Sequence, residues 1–469
     1  MTMMYSWLPC LRGGGKSSIS KTILDWTGEA TYIAPTNQLI DQFLEEFPDT
    51  PSLHSVERYT CKDYSYQSCG ATRRKEGGFC KGCDCAADIR QATWRRGSGV
   101  YNNWTYLARR RELYRPVLVV DEAHNLIPLI QGLNSEKIWQ HQAKYPASLV
   151  AEKPYTISNW VEGLSAGRRK GKKISKLYRA VTSERPEHIV ERTLERFNGK
   201  GTKKGRPEER DCILMTPIDI SDANPVLWPH GSVDKIILLS ATISEVDIKD
   251  LGLDRKRVCY LDCASPIPKE RRPVYLDYCT TVSHATKDRA AATLDNYIDR
   301  NILPQYEGEK GIIHSTYEQA ATLRKLLRGP RYLFHDQANK MQVYKRFRVS
   351  DPSEGKVLIA CGMQEGVDLP EDAGRFQVVA KVPWPSLADG ATRKRAEEDP
   401  VWYTWNTLRD VIQACGRISR TPTDTGDTII LDGSMQRLLT DAMEYDIVPS
   451  WFEEAIVDLG QETEEGRHG

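Results

Sequence analysis

Arg115-Pro116-Val117-Leu118-Val119-Val120-Asp121-Glu122-Ala123-His124-Asn125-Leu126 is the stretch whose reading decides the fold. Val117 to Val120 form an apolar run without polar alternation, bounded by a proline and by two carboxylates. Such a run predicts a strand covered on both faces, as the strands of parallel sheets are. In open α/β sheets ligands bind outside the carboxyl ends of the strands, which is where Asp121 and Glu122 fall. There Asp121 is suited to hold magnesium through its water shell, and Glu122 to orient and deprotonate an attacking water. The alternative is a plain acidic turn facing solvent, and the rest of the chain has to decide against it.

Upstream, Arg12-Gly13-Gly14-Gly15-Lys16-Ser17-Ser18 follows the short strand expected at 4–8 and opens an amphipathic helix expected at about 17–26. This is the context a phosphate-binding loop requires. Gly13, Gly14 and Gly15 let backbone N–H groups close around phosphate, and the helix N-terminus adds a favourable dipole. Lys16 reaches the β and γ phosphates, and Ser17, with Ser18 beside it, can ligate magnesium. Cys10 stands where the strict spacing has its first glycine. Two nucleotide elements in this order, each after a strand, argue against the plain acidic turn.

Strand-like runs at 31–34 and 235–239 complete a first parallel sheet, and runs at 274–278, 310–314, 356–360, 376–380 and 428–431 build a second. Helices are expected near 285–303, 317–327 and 402–415. Ala34-Pro35-Thr36-Asn37-Gln38-Leu39 follows a strand, where a helix N-terminus can grip a nucleic-acid phosphate, and Ser240-Ala241-Thr242 ends another. In the second half, His314-Ser315-Thr316-Tyr317 closes a strand and Gly362-Met363-Gln364-Glu365-Gly366-Val367-Asp368 follows one, adding Asp368 to the nucleotide-binding candidates. Gln413-Ala414-Cys415-Gly416-Arg417-Ile418-Ser419-Arg420 is expected to end a helix with Gln413, Arg417 and Arg420 as catalytic candidates. Two arginines three apart share a helical face, and an arginine delivered across a cleft to the γ phosphate raises rates by about 10³ to 10⁵ in characterised systems.

Composition sets the outer limits. The 469 residues, 40% hydrophobic and 28% charged, suit a soluble chain of more than one domain. No apolar run is long enough for a membrane span and no signal peptide is evident, so a cytoplasmic protein is expected. Net charge is only +1, so nucleic-acid contact has to come from local basic patches. Of twelve cysteines, five (Cys61, Cys69, Cys80, Cys83, Cys85) crowd into 61–85, which in an intracellular chain suggests a metal site over disulfides. Cys212, Cys259, Cys263, Cys279, Cys361 and Cys415 read mostly as small buried hydrophobes.

Taken together, these motifs resemble the XPD/DinG-like iron–sulfur helicases of superfamily 2. Asp121-Glu122-Ala123-His124-Asn125 and Val382-Pro383-Trp384-Pro385 match that branch, and the cysteines fall between its second and third motor elements. The resemblance implies an α/β fold of two RecA-like parallel-sheet motor domains, 1–245 and 273–469, joined by a connector at 246–272. The first would carry a cysteine-rich metal-cluster insertion at 56–98 and a short, mainly helical arch-like insertion at 131–210.

It also implies ATP and Mg²⁺ as cofactors, and single-stranded and forked or tailed duplex DNA as partners of a monomeric motor moving 5′ to 3′. Cys61, Cys69, Cys80 and Cys83 would hold a [4Fe–4S] cluster, with Cys85 able to replace Cys83. Zinc remains the alternative metal. Basic and aromatic residues near the cysteines, Arg73, Arg74, Lys75, Lys81 and Arg90 with Tyr64, Tyr66 and Phe79, suit a single strand. The runs at 168–173 and 200–206 offer further cations. A DNA-stimulated remodeller that does not unwind, or an RNA helicase, are the other functions these residues allow.

Overall fold

The computed structural model describes residues 4–8, 15–64, 68–70, 82–94, 97–139, 188–197, 208–221, 233–261, 265–282, 286–363, 369, 371–419 and 421–458. The chain divides into two compact units. The first is Met1–Leu8, Ser17–Leu261 and Ser386–Asp399; the second is Pro9–Lys16, Asp262–Pro385 and Pro400–Gly469.

Strands of the first unit are β1 (Met4–Leu8), β2 (Ala30–Ala34), β3 (Ser52–Leu53), β4 (Gly99–Asn102), β5 (Val117–Val120), β6 (Glu136–Trp139), β7 (His188–Phe197), β8 (Glu208–Pro217), β9 (Lys235–Leu239) and β10 (Val258–Tyr260). Seven of them form one parallel sheet in the order β10-β1-β9-β5-β2-β4-β3. The Val117–Val120 run is buried on both faces for the reason its composition gave. Leu118 and Val120 pack into the core with Tyr106, Leu126 and Ile236, whereas Val119 packs on the other face with Leu24, Tyr32 and Phe43. Period-two alternation thus splits one apolar run between two cores.

The second unit repeats the plan with β11 (Val274–Thr280), β12 (Gly311–Ser315), β13 (Tyr332–Phe334), β14 (Val357–Cys361), β15 (Phe376–Val379), β16 (Asp427–Asp432) and β17 (Ile456–Asp458). They form a parallel sheet ordered β13-β14-β12-β15-β16-β11-β17. Leu358 and Ala360 face one core, Val357, Ile359 and Cys361 the other. Gly311 has to be glycine here. A Cβ would lie 2.2 Å from the ring of Phe376, its partner on β15.

Several elements differ from expectation. The strands β3, β4, β10, β13 and β17 have two to four residues each and show no periodicity for a sequence reading to catch. Residues 258–260 pair with β1, so this part of the expected connector is an edge of the first sheet. In the insertion at 131–210, the described residues beyond the helix Leu126–Asn134 are strands of an antiparallel sheet ordered β6-β8-β7, not helices. Ten residues of β7 pair with ten of β8, a non-local match that local helical patterning cannot report. Cys212 and Cys361 are buried as expected, but Cys259 is exposed because β10 is an edge strand; Cys279 and Cys415 are intermediate. Among the described residues no helix is long and apolar enough to cross a membrane.

Candidate nucleotide site

Four chain segments leave the first sheet side by side at its carboxyl end. Leu8 is paired with Leu239, Leu238 with Val120, and Val120 with Ile33. The glycine loop, Ser240-Ala241-Thr242, Asp121-Glu122 and Pro35-Thr36 are therefore the continuations of neighbouring strands. Register alone brings Asp121, Ser240 and Pro35-Thr36 to one edge, although they span more than two hundred positions.

Asp121 is buried and held from three directions. Its N–H donates to Ile33 O at 2.9 Å, Tyr32 Oη donates to its Oδ2 at 2.8 Å, and the Glu122 N–H donates to its Oδ1 at 2.9 Å. Burial, reinforced by the Asp121 charge, pushes the Tyr32 phenol well above its ordinary value, so the hydroxyl keeps its proton and remains a donor. Glu122 adopts a left-handed backbone, φ 46° and ψ 51°, uncommon for a residue with a side chain. That turn starts the short 3₁₀ segment Ala123–Asn125 and directs the carboxylate back toward His124, with Oε2 3.5 Å from Nδ1. Backbone strain of this kind is concentrated at functional sites.

His124 links the acidic pair to the next strand. Its Nδ1 lies 3.0 Å from Ser240 Oγ, and its Nε2 accepts from Asn125 Nδ2 at 3.1 Å. The amide donor on Nε2 leaves Nδ1 to carry the ring proton toward Ser240 and Glu122. Ser240 Oγ in turn accepts the Thr242 N–H at 3.1 Å. Lys16 is the first residue of the helix Lys16–Thr27, Gly15 before it has φ +74°, and Ser17 and Ser18 lie in the first turn. Gly13 and Gly14 lie outside the described residues. Thr36 caps the helix Asn37–Glu46 through Oγ1, which accepts from Leu39 N at 3.3 Å, and Asn37 Oδ1 accepts from Asn102 Nδ2 on β4.

In the second unit the counterpart is built on His314 at the end of β12. His314 Nε2 donates to Gln377 Oε1 at 3.2 Å, and the Gln377 amide donates to Cys415 O at 2.7 Å and Thr428 Oγ1 at 2.8 Å. Burial, with Arg417 adding to it, lowers the His314 pKa to about 4, so the ring is neutral. Gln413 is buried on the helix Pro400–Cys415. That helix stops at Cys415, and Arg417 sits in a closing turn whose N–H donates to Ala414 O at 3.2 Å. The arginine therefore rides on a turn, not on the helical face the spacing suggested. Its carbonyl also accepts from Leu369 N at 3.2 Å. Arg420 and Asp368 lie outside the described residues.

Of the cysteines, Cys61, Cys69, Cys83 and Cys85 are buried in one group with Tyr59 and Ile89, and the sulfurs of Cys69 and Cys83 are 3.5 Å apart. Cys80, the remaining expected ligand, and the cations Arg73, Arg74, Lys75 and Lys81 lie outside the described residues, as do the runs at 168–173 and 200–206. Among the described residues no group of three or more His, Cys, Asp or Glu side chains is arranged to hold a metal ion. Two residues escaped the sequence reading: Tyr32, whose partner lies 89 positions away, and Gln377, whose partners lie on three other elements.

Residues 308–454 match the helicase C-terminal domain family. Solved structures that resemble the chain include Xpd4 of S. tokodaii, at 13% identity over 97% of this chain and 96% of that one with a TM-score of 0.56. Two further XPD helicase structures match at 14% and 15% identity, each over 97% of this chain and over 96% and 97% of theirs, both with a TM-score of 0.58. No curated protein matches in sequence. The fold is the one those XPD structures have, two RecA-like parallel-sheet domains. A helicase C-terminal domain match over 308–454 on this fold supports an ATP-dependent helicase acting on nucleic acid.

Proposed function

We propose that this chain is a DNA helicase that hydrolyses ATP to move 5′ to 3′ on single-stranded DNA and separate duplex ahead of it. The observation that carries the reading is the edge of the first sheet, where Asp121, Glu122, His124 and Ser240 are bonded into one polar group beside the strand that leads into the glycine loop. In this reading Lys16 and the N–H groups of Gly13, Gly14 and Gly15 hold the phosphates, and Ser17, Ser18, Asp121 and Asp368 serve the magnesium nucleotide. Glu122 takes a proton from the water that attacks the γ phosphorus, and ADP leaves. Gln413, Arg417 and Arg420 act on the charge that develops on the transferred group. DNA as substrate and the polarity rest on the resemblance to the iron–sulfur branch.

The buried thiols suit a soft metal centre, with Cys61, Cys69, Cys80 and Cys83 as ligands and Cys85 available in place of Cys83. A [4Fe–4S] cluster would supply a covalent staple to this small insertion. One observation favours zinc as a second reading. Tetrahedral bonds of about 2.3 Å put thiolates roughly 3.8 Å apart, near the Cys69–Cys83 separation, whereas in a cluster each thiolate binds its own iron.

Purification without oxygen, followed by iron, sulfide and zinc analysis, decides the metal. ATP turnover is then measured with and without single-stranded DNA or RNA, and strand release from duplexes tailed at either end. Turnover that needs DNA and release of 5′-tailed duplex are expected. Stimulation by RNA alone, or stimulation by DNA without release, would replace this reading with the RNA helicase or the remodeller.

A further inference from the structure

The segment Ser386–Asp399 belongs to the first unit, although Pro385 before it and Pro400 after it belong to the second. Its sequence explains the local fold. Asp389 caps the helix Gly390–Glu398 by accepting the Thr392 N–H at 2.7 Å on Oδ2, and Pro400 then starts the helix Pro400–Cys415, which leads to Gln413 and Arg417. The body of the segment is anchored at two places in the first unit.

At its start, the Gly390 N–H donates to Glu191 Oε1 on β7 at 3.0 Å. Glycine is needed for that approach, since a Cβ would lie 2.6 Å from Glu191 Oε1 and 3.1 Å from Ile189 Cγ2. In its last turns, Arg395 Nη2 donates to Asp250 Oδ1, and both residues are buried. Lys249 Nζ adds a contact to Asp399 at 2.6 Å. Asp250 ends the helix Glu245–Asp250, which follows directly on Ser240-Ala241-Thr242 and is locked by a capping box between Ser244 and Asp247. The segment thus touches both the helix next to the His124–Ser240 bond and the sheet of the insertion.

An ion pair is an unusual choice for a buried contact if firmness is all it provides. An apolar pair of similar volume often holds as well, and the best-attested use of buried charge is to fix one register or switch between two. The pairing is also incomplete: among the described residues Asp250 Oδ2 is buried without a hydrogen-bond partner, and burial raises the Asp250 pKa to about 6 against the opposing pull of Arg395.

We propose that Ser386–Asp399 is a coupling strap, with Arg395, Asp250 and Gly390 as positioning residues that pass the nucleotide state of the motor to the β6-β8-β7 sheet. This rests on the motor reading above. Both ends of the strap are covalently tied to the unit that carries Arg417, and its body is pinned to the insertion and to the helix after Ser240-Ala241-Thr242. A change at either place is then felt at the other through the helix backbone, with no contact to ATP itself.

The test uses the full chain with Arg395→Ala, Arg395→Lys and Gly390→Ala, the last two guarding against loss of fold. Hydrogen exchange is followed in 117–124 and in β7 and β8, with and without a non-hydrolysable ATP analogue, alongside ATP turnover and strand release. In the wild-type chain the analogue is expected to change exchange in both regions. Arg395→Ala should keep the response at 117–124 and turnover within about threefold, but lose the response in β7 and β8 and lower strand release per ATP about tenfold. Arg395→Lys should restore part of that ratio and Gly390→Ala should lower it. A wild-type response at 117–124 with none in β7 and β8, or an unchanged ratio in Arg395→Ala, overturns the strap. Absence of any response at 117–124 would instead sink the motor reading on which it rests.

Discussion

Each unit ends a central strand region with a buried histidine, and the two are held in opposite protonation patterns. In the first unit His124 presents Nδ1 to Ser240 and to the Glu122 carboxylate, with Nε2 accepting from Asn125. In the second His314 presents Nε2 to the Gln377 carbonyl, and the nearby charge is the cation of Arg417. The same ring therefore serves a negative site in one unit and a positive site in the other. A histidine beside a carboxylate can share a proton with it, whereas one beside a guanidinium is kept neutral and acts as a fixed dipole. The chemistry is expected on the first side, and charge stabilisation from a rigid mount on the second.

The largest expected effect falls on the chemical side. Glu122→Gln keeps the shape of the side chain but removes its ability to take a proton, so turnover should fall about 10²- to 10⁴-fold with nucleotide binding retained. Turnover within threefold of wild type would remove Glu122 from the role of base and with it the distinction between the two histidines.

The second prediction concerns the neutral ring. Unfolded, an imidazole titrates near 6.5, and His314 in the fold titrates near 4, so between those values the unfolded chain binds more protons. Its contribution to stability is complete above about pH 6.5 and is lost as pH falls toward 4, on the order of 3 kcal/mol at most. Denaturant unfolding from pH 7 to pH 4 should show a steeper loss in the wild-type chain than in His314→Asn. Parallel curves would mean that His314 is not held neutral.

The smallest effect sharpens the comparison at its mount. Gly311 begins the strand that carries His314, and its partner Phe376 precedes Gln377. Gly311→Ala pushes a Cβ into the Phe376 ring and should cost about 1–3 kcal/mol, read from the denaturation midpoint of the second unit. A midpoint equal to wild type would show that β12 and β15 are not packed as tightly as the His314–Gln377 bond requires.

Much of this was legible in the chain. The Val117–Val120 strand and the two strands that flank it were expected to within a residue, because an apolar run bounded by a proline and by carboxylates is a local signal. The helix at Lys16 and the acidic pair after β5 followed for the same reason. In the arch-like insertion, expected to be mainly helical, the described residues at 136–139, 188–197 and 208–210 are strands, and this pairing was not legible because β7 finds its partner only in β8. The helix expected at 402–415 does end at Cys415, but the helical face assigned to the arginines after it is not formed, because Arg417 lies in the turn beyond that end.

Sequence by itself thus determined the longer strands and the order of the motifs, since each depends on neighbours a few residues away. Tertiary structure alone decided that Ser240 meets His124 across 116 positions, that Tyr32 clamps Asp121, and that Arg395 is pinned to Asp250 across 145. The reason is physical: strand order and side-chain pairing are set by burial and hydrogen-bond satisfaction across the whole core, and contacts between distant segments leave no periodic trace in the chain.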